Sequence, residues 1–528
     1  MQLIVPKRTV ADTGSFPVEP DGVARWLATL RPLDSENDAR ELYRGLKHSN
    51  RLHNDVQQRR SVISCFIPVL RNLHTHLNEI SNAQPLPLTR EFLRNALLRD
   101  ALLREEAFAF KILLADSKTP LADDARRAMQ ALARQAEAVV QNYRPLPDSL
   151  IEDAHQLYAL AEEHNLLSTQ QDAQLLSLQD HYRFILLLSI ADLSQQRARQ
   201  LPLVADFLRE CVSDIHLERR RTAQSIATTD YAIDLRQGSR PEPALSLLSH
   251  QPDDVRWFSV APVLYRVRDV SRQIKTGTTS VPGSDSLERQ SLTRLAMALT
   301  RSRHRRLARC ISYIPSQVVI GHKEICAHLL YPTAVPGEHE SALNSPYEPP
   351  HELAHGQTHE SPWVIVNQTL NGVCLHISGG RAGTIQVGEL VSIKEGLSTP
   401  VANSDDPGPK VEAMMGVIRW IRSNNTQELV VGVEFLARSV LPVHVTRDGR
   451  ENEDSLPIEE QDRQVGENAL IIACKIQNTV LQTVLLPSYL YQDGDRLIAT
   501  QGRRTRRFVL RQCLQSNGLF SQFALADG

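Results

Sequence analysis

The apolar pattern of this chain changes period once, and that change constrains the fold more than any other feature of its 528 residues. From about residue 22 to residue 309, segments rich in Leu, Ala, Arg, Glu and Gln and poor in β-branched clusters follow one another, the composition of helix after helix. Beyond that point the period shortens. Val373, Leu375 and Ile377 alternate with Cys374 and His376, and further extended runs lie at 388–393, 416–421 and 429–435. A period of 3.6 and a period of 2 present apolar groups in incompatible directions, so the two halves must fold as different classes. The expected fold is multidomain α + β: an N-terminal α-helical bundle or solenoid, then an antiparallel β-barrel and a small C-terminal β module.

Within the helical half, Ser149 and Glu152 have the spacing of a capping box, and Ala154, Leu157, Tyr158 and Ala161 then fall on one face. The stretch 90–116 is apolar on much of its circumference, which predicts a helix packed between others. No fixed-period repeat is readable, so any solenoid would consist of degenerate helical hairpins. Breaks at 236–242 and 276–284 set off two further helical segments. In the second, Leu292, Leu295, Ala296 and Leu299 recur at helical spacing and lead into Arg301, Arg303, His304, Arg305, Arg306 and Arg309. The expected boundaries are a helical domain over 1–236, a helical segment over 237–300, a barrel over 301–445 with an insertion at 333–360, an acidic linker over 446–464, and the C-terminal β module over 465–528.

Charge and cysteine usage narrow the function classes. Lys and Arg total 59 against 61 Asp and Glu, a net charge of -2, which provides no global field for nucleic acid or an anionic membrane. No DNA or RNA partner is expected. The seven cysteines are scattered with no CxxC pair, which suits a reducing cytoplasm. The most apolar run, 184–190, is far shorter than the ~20 residues of a membrane-spanning helix. A cytoplasmic protein with no membrane span is therefore expected.

Two segments carry chemistry. Arg305-Arg306-Leu307-Ala308-Arg309 supplies rigid, permanently charged forks suited to phosphates and to the O6 and N7 atoms of guanine. Asn367-Gln368-Thr369-Leu370-Asn371-Gly372 supplies short polar side chains and a residue without a Cβ, where backbone and ligand approach closely. These look like the RxxxR and [D/N]xSxxG motifs of the PilZ domain family, in that family's order. Trp363-Val364-Ile365-Val366, Val387-Gly388-Glu389-Leu390-Val391, Val417-Ile418-Arg419-Trp420 and Val431-Gly432-Val433-Glu434-Phe435 resemble the surrounding strands. The resemblance covers about 301–445 and leaves the helical half unrecognised.

The resemblance implies cyclic di-GMP as ligand, with no cofactor, bound by Arg305, Arg309, Asn367, Thr369 and Gly372, with Arg306 and His304 as additional contacts. The chain departs from the family in three places. His304 stands where many members have arginine, Thr369 replaces serine, and 331–360 enlarges the gap between motifs. The implied function is a non-enzymatic bacterial receptor that couples cyclic di-GMP binding at the barrel to an unidentified protein partner held by the helical half. The alternative is a degenerate, ligand-free PilZ scaffold for protein contacts.

Two other signals point elsewhere. His351-Glu352-Leu353-Ala354-His355 has the HExxH form of a zinc enzyme. It follows Pro349-Pro350 and is succeeded at once by Gly356, with no apolar helix to fix the ligands, so an irregular loop without metal is expected. Arg503, Arg504, Arg506, Arg507 and Arg511 form a second basic cluster, read as a solvated hairpin rim because only Phe508 accompanies it as an aromatic platform. No glycine-rich phosphate loop and no G-x-S-x-G elbow is present, and no enzyme is expected.

Overall fold

The computed structural model describes residues 3–9, 16–33, 36–81, 84, 86–167, 176–219, 226–244, 253–276, 287–300, 309–330, 363–378, 384–395, 413–424, 428–448, 466–476 and 479–527. The chain divides into two compact units, Met1–His304 with Arg422–Gln427, and Arg305–Ile421 with Glu428–Gly528.

The first unit is built mainly from α1 (Pro20–Thr29), α2 (Glu36–Arg51), α3 (Val56–Ser81), α4 (Arg90–Asp116), α5 (Ala122–Gln141), α6 (Asp148–Glu163), α7 (Leu178–Ile190) and α8 (Leu201–Glu210). The near-continuous apolar circumference of α4 is buried as its sequence requires, packed against α2, α3 and α5. Its Lys111 is fully buried and bonds Asp153 of α6 at 2.5 Å. Val23, Leu42, Leu46, Phe66, Leu70, Leu73 and Leu102 form a core shared by α1 to α4. The expected face Ala154, Leu157, Tyr158 and Ala161 is buried in α6.

The capping box is elsewhere than expected. The helix α6 starts at Asp148 behind Pro147, which puts Ser149 inside the first turn, too late to cap it. The reciprocal cap belongs instead to Ser177 and Asp180 at the start of α7. The stretch expected to be helical throughout also contains a three-stranded antiparallel sheet of β1 (Asp230–Asp234), β2 (Glu242–Pro243) and β3 (Val255–Ser259), in which Tyr231 pairs with Phe258 and Ala232 with Trp257. Aromatic and β-branched residues cluster in these short runs, and their β-propensity outweighs the helical composition around them. Two helices follow, α9 (Ala261–Thr276) and α10 (Arg289–Thr300), and α10 buries Leu292, Leu295 and Leu299 as predicted.

The second unit holds two closed antiparallel barrels. The first comprises β4 (Cys310–Ile320), β5 (Trp363–Thr369), β6 (Gly372–Ile377), β7 (Leu390–Glu395), β8 (Met414–Ser423) and β9 (Leu429–Ala437), closed in the order β4-β5-β6-β9-β8-β7, with α11 (His322–Leu330) following β4. Val373, Leu375 and Ile377 are buried. The second comprises β10 (Val440–Arg447), β11 (Glu467–Ile476), β12 (Thr479–Pro487), β13 (Arg496–Gln501), β14 (Arg504–Ser516) and β15 (Phe520–Asp527).

By the expected boundaries β10 lies, as far as Val445, within the first barrel. It is a stave of the second, pairing β11 from Val440↔Ile472 onward and β13 from His444↔Thr500 onward, because the C-terminal strands lack the sixth member that closure needs. The barrels also share a core: Ile325 and Cys326 of α11 pack with Leu390, Met415 and Val417 of the first and with Leu470, Ile472, Leu485 and Phe520 of the second.

Candidate functional site

The hairpin from β5 to β6 turns through Leu370 and Asn371. Thr369 Oγ1 donates to the Gly372 carbonyl at 3.2 Å and accepts the Asn371 N–H at 3.3 Å, so this hydroxyl ties the turn to itself. The Phe435 N–H then bonds the Asn371 carbonyl at 2.8 Å, fixing the turn to β9. Gly372 needs its missing side chain, since a Cβ there would lie 2.2 Å from the Val433 carbonyl oxygen.

Strand register brings the arginine segment to this hairpin. Cys310 pairs with Gln368 and Ile311 with Asn367. One further rung of the same antiparallel ladder brings Arg309, the residue before β4, level with Thr369. Residues opposed across a ladder share a face, and Ile365 and Leu375 fill the barrel interior. An irregularity between Ile365 and Asn367 then pairs Asn367 with Cys374, neighbour of Leu375, which puts Asn367 and Ile311 on the outer face.

That face is open. Arg309 is exposed, Asn367 half-buried, and Ile311, Tyr313 and Leu370 are 78%, 76% and 78% exposed. Further along the same row Cys374 pairs with Gly432, over which the Trp420 indole lies so closely that a Cβ on Gly432 would meet Nε1 at 2.0 Å. Glu434, opposite Gly372, is ion-paired with Arg419 at 2.5 Å, so its charge is compensated. Such a surface offers a permanent cation, an amide with donor and acceptor, and apolar ground for a planar group.

Of the residues expected to bind ligand, Arg309, Asn367, Thr369 and Gly372 come together here. Arg305, Arg306 and His304 lie outside the described residues, as do the 333–360 insertion and its HExxH string. Among the described residues no group of three or more His, Cys, Asp or Glu could hold a metal ion, and no helix is long and apolar enough to cross a membrane. Sequence reasoning missed two features: the turn-forming role of Thr369, signalled by a threonine two residues before Asn371-Gly372, and the exposure of Ile311 and Tyr313, which strand patterning alone does not reveal.

Comparison with known proteins gives matches over both halves. Residues 21–223 match the family model described as the N-terminal domain of the cyclic-di-GMP receptor FimW, and residues 338–442 match the one described as that receptor's middle PilZ domain. The second match contains the Asn367 to Gly372 hairpin and begins after Arg309. The cyclic-di-GMP receptor FimW of Pseudomonas aeruginosa is 23% identical over 587 aligned residues, spanning 99% of this chain and 93% of that protein. With its antiparallel strands closed around Leu375, its hairpin glycine pressed on Val433 and the matching family model over 338–442, the first barrel belongs to the PilZ domain family.

Proposed function

We propose that this chain is a non-enzymatic receptor that binds cyclic di-GMP on the outer face of its PilZ barrel. The observation that carries the reading is the β4–β5 register, which sets Arg309 level with Thr369 and Ile311 opposite Asn367, from segments almost sixty residues apart in sequence. In this reading Arg309, with Arg305 and secondarily Arg306 and His304 from the preceding segment, clamps phosphate and guanine acceptors through charge-assisted bonds. Asn367 meets a base edge, and Gly372 keeps the hairpin tight against β9 beneath it. Thr369 acts through the turn it closes. The similarity to the cyclic-di-GMP receptor FimW of Pseudomonas aeruginosa supports the ligand.

The arginine segment is also the covalent connection from α10 to β4. A ligand held by this segment biases an equilibrium between conformations of the chain only in proportion to its differential affinity for them. We place an unidentified protein partner on that helical half and the whole in the cytoplasm, with neither nucleic acid nor membrane as partner. The test is calorimetric titration of cyclic di-GMP into the full chain and into Arg309→Ala, with solution scattering in parallel. Heat in the wild type that is lost in the variant is expected. Absence of heat in the wild type would establish the ligand-free scaffold instead.

A further inference from the structure

The most exposed large hydrophobic side chains among the described residues are Tyr489, Ile311, Leu370, Tyr313 and Tyr265. Ile311, Tyr313 and Leu370 stand at one corner of the first barrel, where the start of β4 meets the β5–β6 turn beside Arg309. Apolar groups scattered singly over a surface are ordinary, but such a gathering beside a cation marks a place where something binds.

Successive outward positions of one strand build this corner. Ile311 stands opposite Asn367 on the outer face, and Ile314, opposite the buried Ile365, turns inward. The change of face from Ile311 to Ile314 means that β4 alternates regularly across the register irregularity between them. Ser312 therefore points inward, in keeping with a hydroxyl closed off from solvent, and Tyr313 shares the outer face with Ile311. Arg309 precedes Ile311 by the same two-residue step. Cation, aliphatic group and aromatic ring thus follow one another at intervals of roughly 7 Å beside Asn367.

A phosphate group alone makes no use of the apolar part of this row, whereas a nucleotide presents a charged phosphate, a polar base edge and the apolar faces of the base together. We propose that Ile311 and Tyr313 form the base platform of the cyclic di-GMP site, Tyr313 stacking on one guanine and Ile311 lying between that base and the phosphate held by Arg309. The inference rests on the receptor reading and adds to it the residues that take the base faces, which contacts from arginine to phosphate and from Asn367 to a base edge leave uncovered. Stacking on an aromatic ring accepts any base, so the platform supplies affinity while Asn367 supplies the choice of base. Tyrosine suits the task because its two side-chain torsions cost little to fix. The ring lies outside both sequence motifs, four residues past Arg309.

The test is calorimetric titration of cyclic di-GMP at two salt concentrations into the full chain and into Tyr313→Ala, Tyr313→Phe and Ile311→Ala, with Tyr265→Ala, which removes a comparably exposed tyrosine on α9, as control. Tyr313→Ala should bind roughly tenfold to a hundredfold more weakly, the scale of one base–aromatic stack, and Tyr313→Phe within about twofold of the wild type. Ile311→Ala should fall between them. Both platform residues are exposed, so the urea midpoints should not move and misfolding cannot account for the loss. An uncharged stack is not screened, so the Tyr313→Ala loss should be equal at both salts, whereas the Arg309→Ala loss should shrink as salt rises. Wild-type binding that persists unchanged in Tyr313→Ala would overturn the platform and leave the receptor standing, as would a Tyr313→Phe variant as weak as Tyr313→Ala or an equal loss in Tyr265→Ala. Absence of heat in the wild type would instead retire the receptor reading, and the platform with it.

Discussion

The Cα of Gly372 faces the carbonyl oxygen of Val433 across the β6–β9 ladder so closely that a Cβ would stand 2.2 Å from it. The neighbour is backbone within a closed barrel, so a rotamer change cannot relieve the contact. Gly372→Ala should therefore destabilise the second unit by about 1–3 kcal/mol, the scale of an overpacked site, measured as a lower urea midpoint with unchanged slope. Gly494 makes the contrast: nothing lies within 4 Å of a Cβ there, and only its φ of +94° opposes a side chain, so Gly494→Ala should cost about 1 kcal/mol through the backbone alone. Equal losses at the two positions would mean that the close approach is not what requires glycine at 372.

Thr369 and Arg309 share a rung but should respond to different measurements. The Thr369 hydroxyl serves the turn, so Thr369→Val should lose about 1 kcal/mol of stability with a small effect on cyclic di-GMP affinity, and Thr369→Ser should restore it. Arg309 is exposed. Its replacement by alanine should leave the urea midpoint unchanged while weakening ligand binding on the order of a hundredfold, through loss of charge-assisted contacts. Raising the salt should weaken wild-type binding as well. A Thr369→Val variant that binds as poorly as Arg309→Ala would show that the hydroxyl contacts ligand directly.

Sequence pattern revealed the division into helical and β halves because the two periods differ over long stretches, as α4 and the Val373, Leu375, Ile377 alternation show. It failed where elements were short or closure was non-local. The strands at 230–234 and 255–259 are five residues each, too brief for a period to emerge from a helical background. Nor does anything in Val440–Arg447 itself specify which barrel it joins, since that depends on partners, β11 and β13, lying up to sixty residues away. The hairpin motif at 367–372 was legible as chemistry, but its threonine and glycine prove to have local backbone duties that a motif reading passes over.

Acid should act on the helical unit through His181. Its folded-state value is drawn down from 6.5 to about 4 by burial first, then by Arg126, Arg134 and Arg209, with Asp180 opposing. As pH falls below 6.5 the unfolded chain takes up the proton first, so stability present above 6.5 is lost progressively toward 4. At pH 5 the loss from this residue is about 2 kcal/mol. In chloride buffer, His181→Gln should unfold at a urea midpoint less sensitive to pH between 7 and 5 than the wild type. Buried His155 shifts in the same sense and remains in both proteins, so the difference between them is the measurement. Parallel pH profiles would mean that His181 is protonated in the folded chain.

The two barrels should not survive separation. A spacer followed by an independent C-terminal module would let the chain be cut after Ala437 without harm, but the shared core forbids it: Leu390, Met415 and Val417 pack through Ile325 and Cys326 onto Leu470, Ile472, Leu485 and Phe520. Asn517 Nδ2 also donates to the Gly388 carbonyl at 2.7 Å, and the His322 ring lies 3.2 Å from the Leu485 carbonyl. Removing residues 438–528 would expose this apolar surface together with α11. Burial of each such side chain contributes roughly 1.5–3 kcal/mol, so losing several exceeds the net stability of a typical domain. A chain ending at Ala437 should bind a hydrophobic dye, lose cooperative unfolding and aggregate, whereas the full chain should melt its two barrels in one transition. A truncated chain with a sharp transition and no dye binding would show that the first barrel is a self-sufficient domain, with the C-terminal strands an appendage to it.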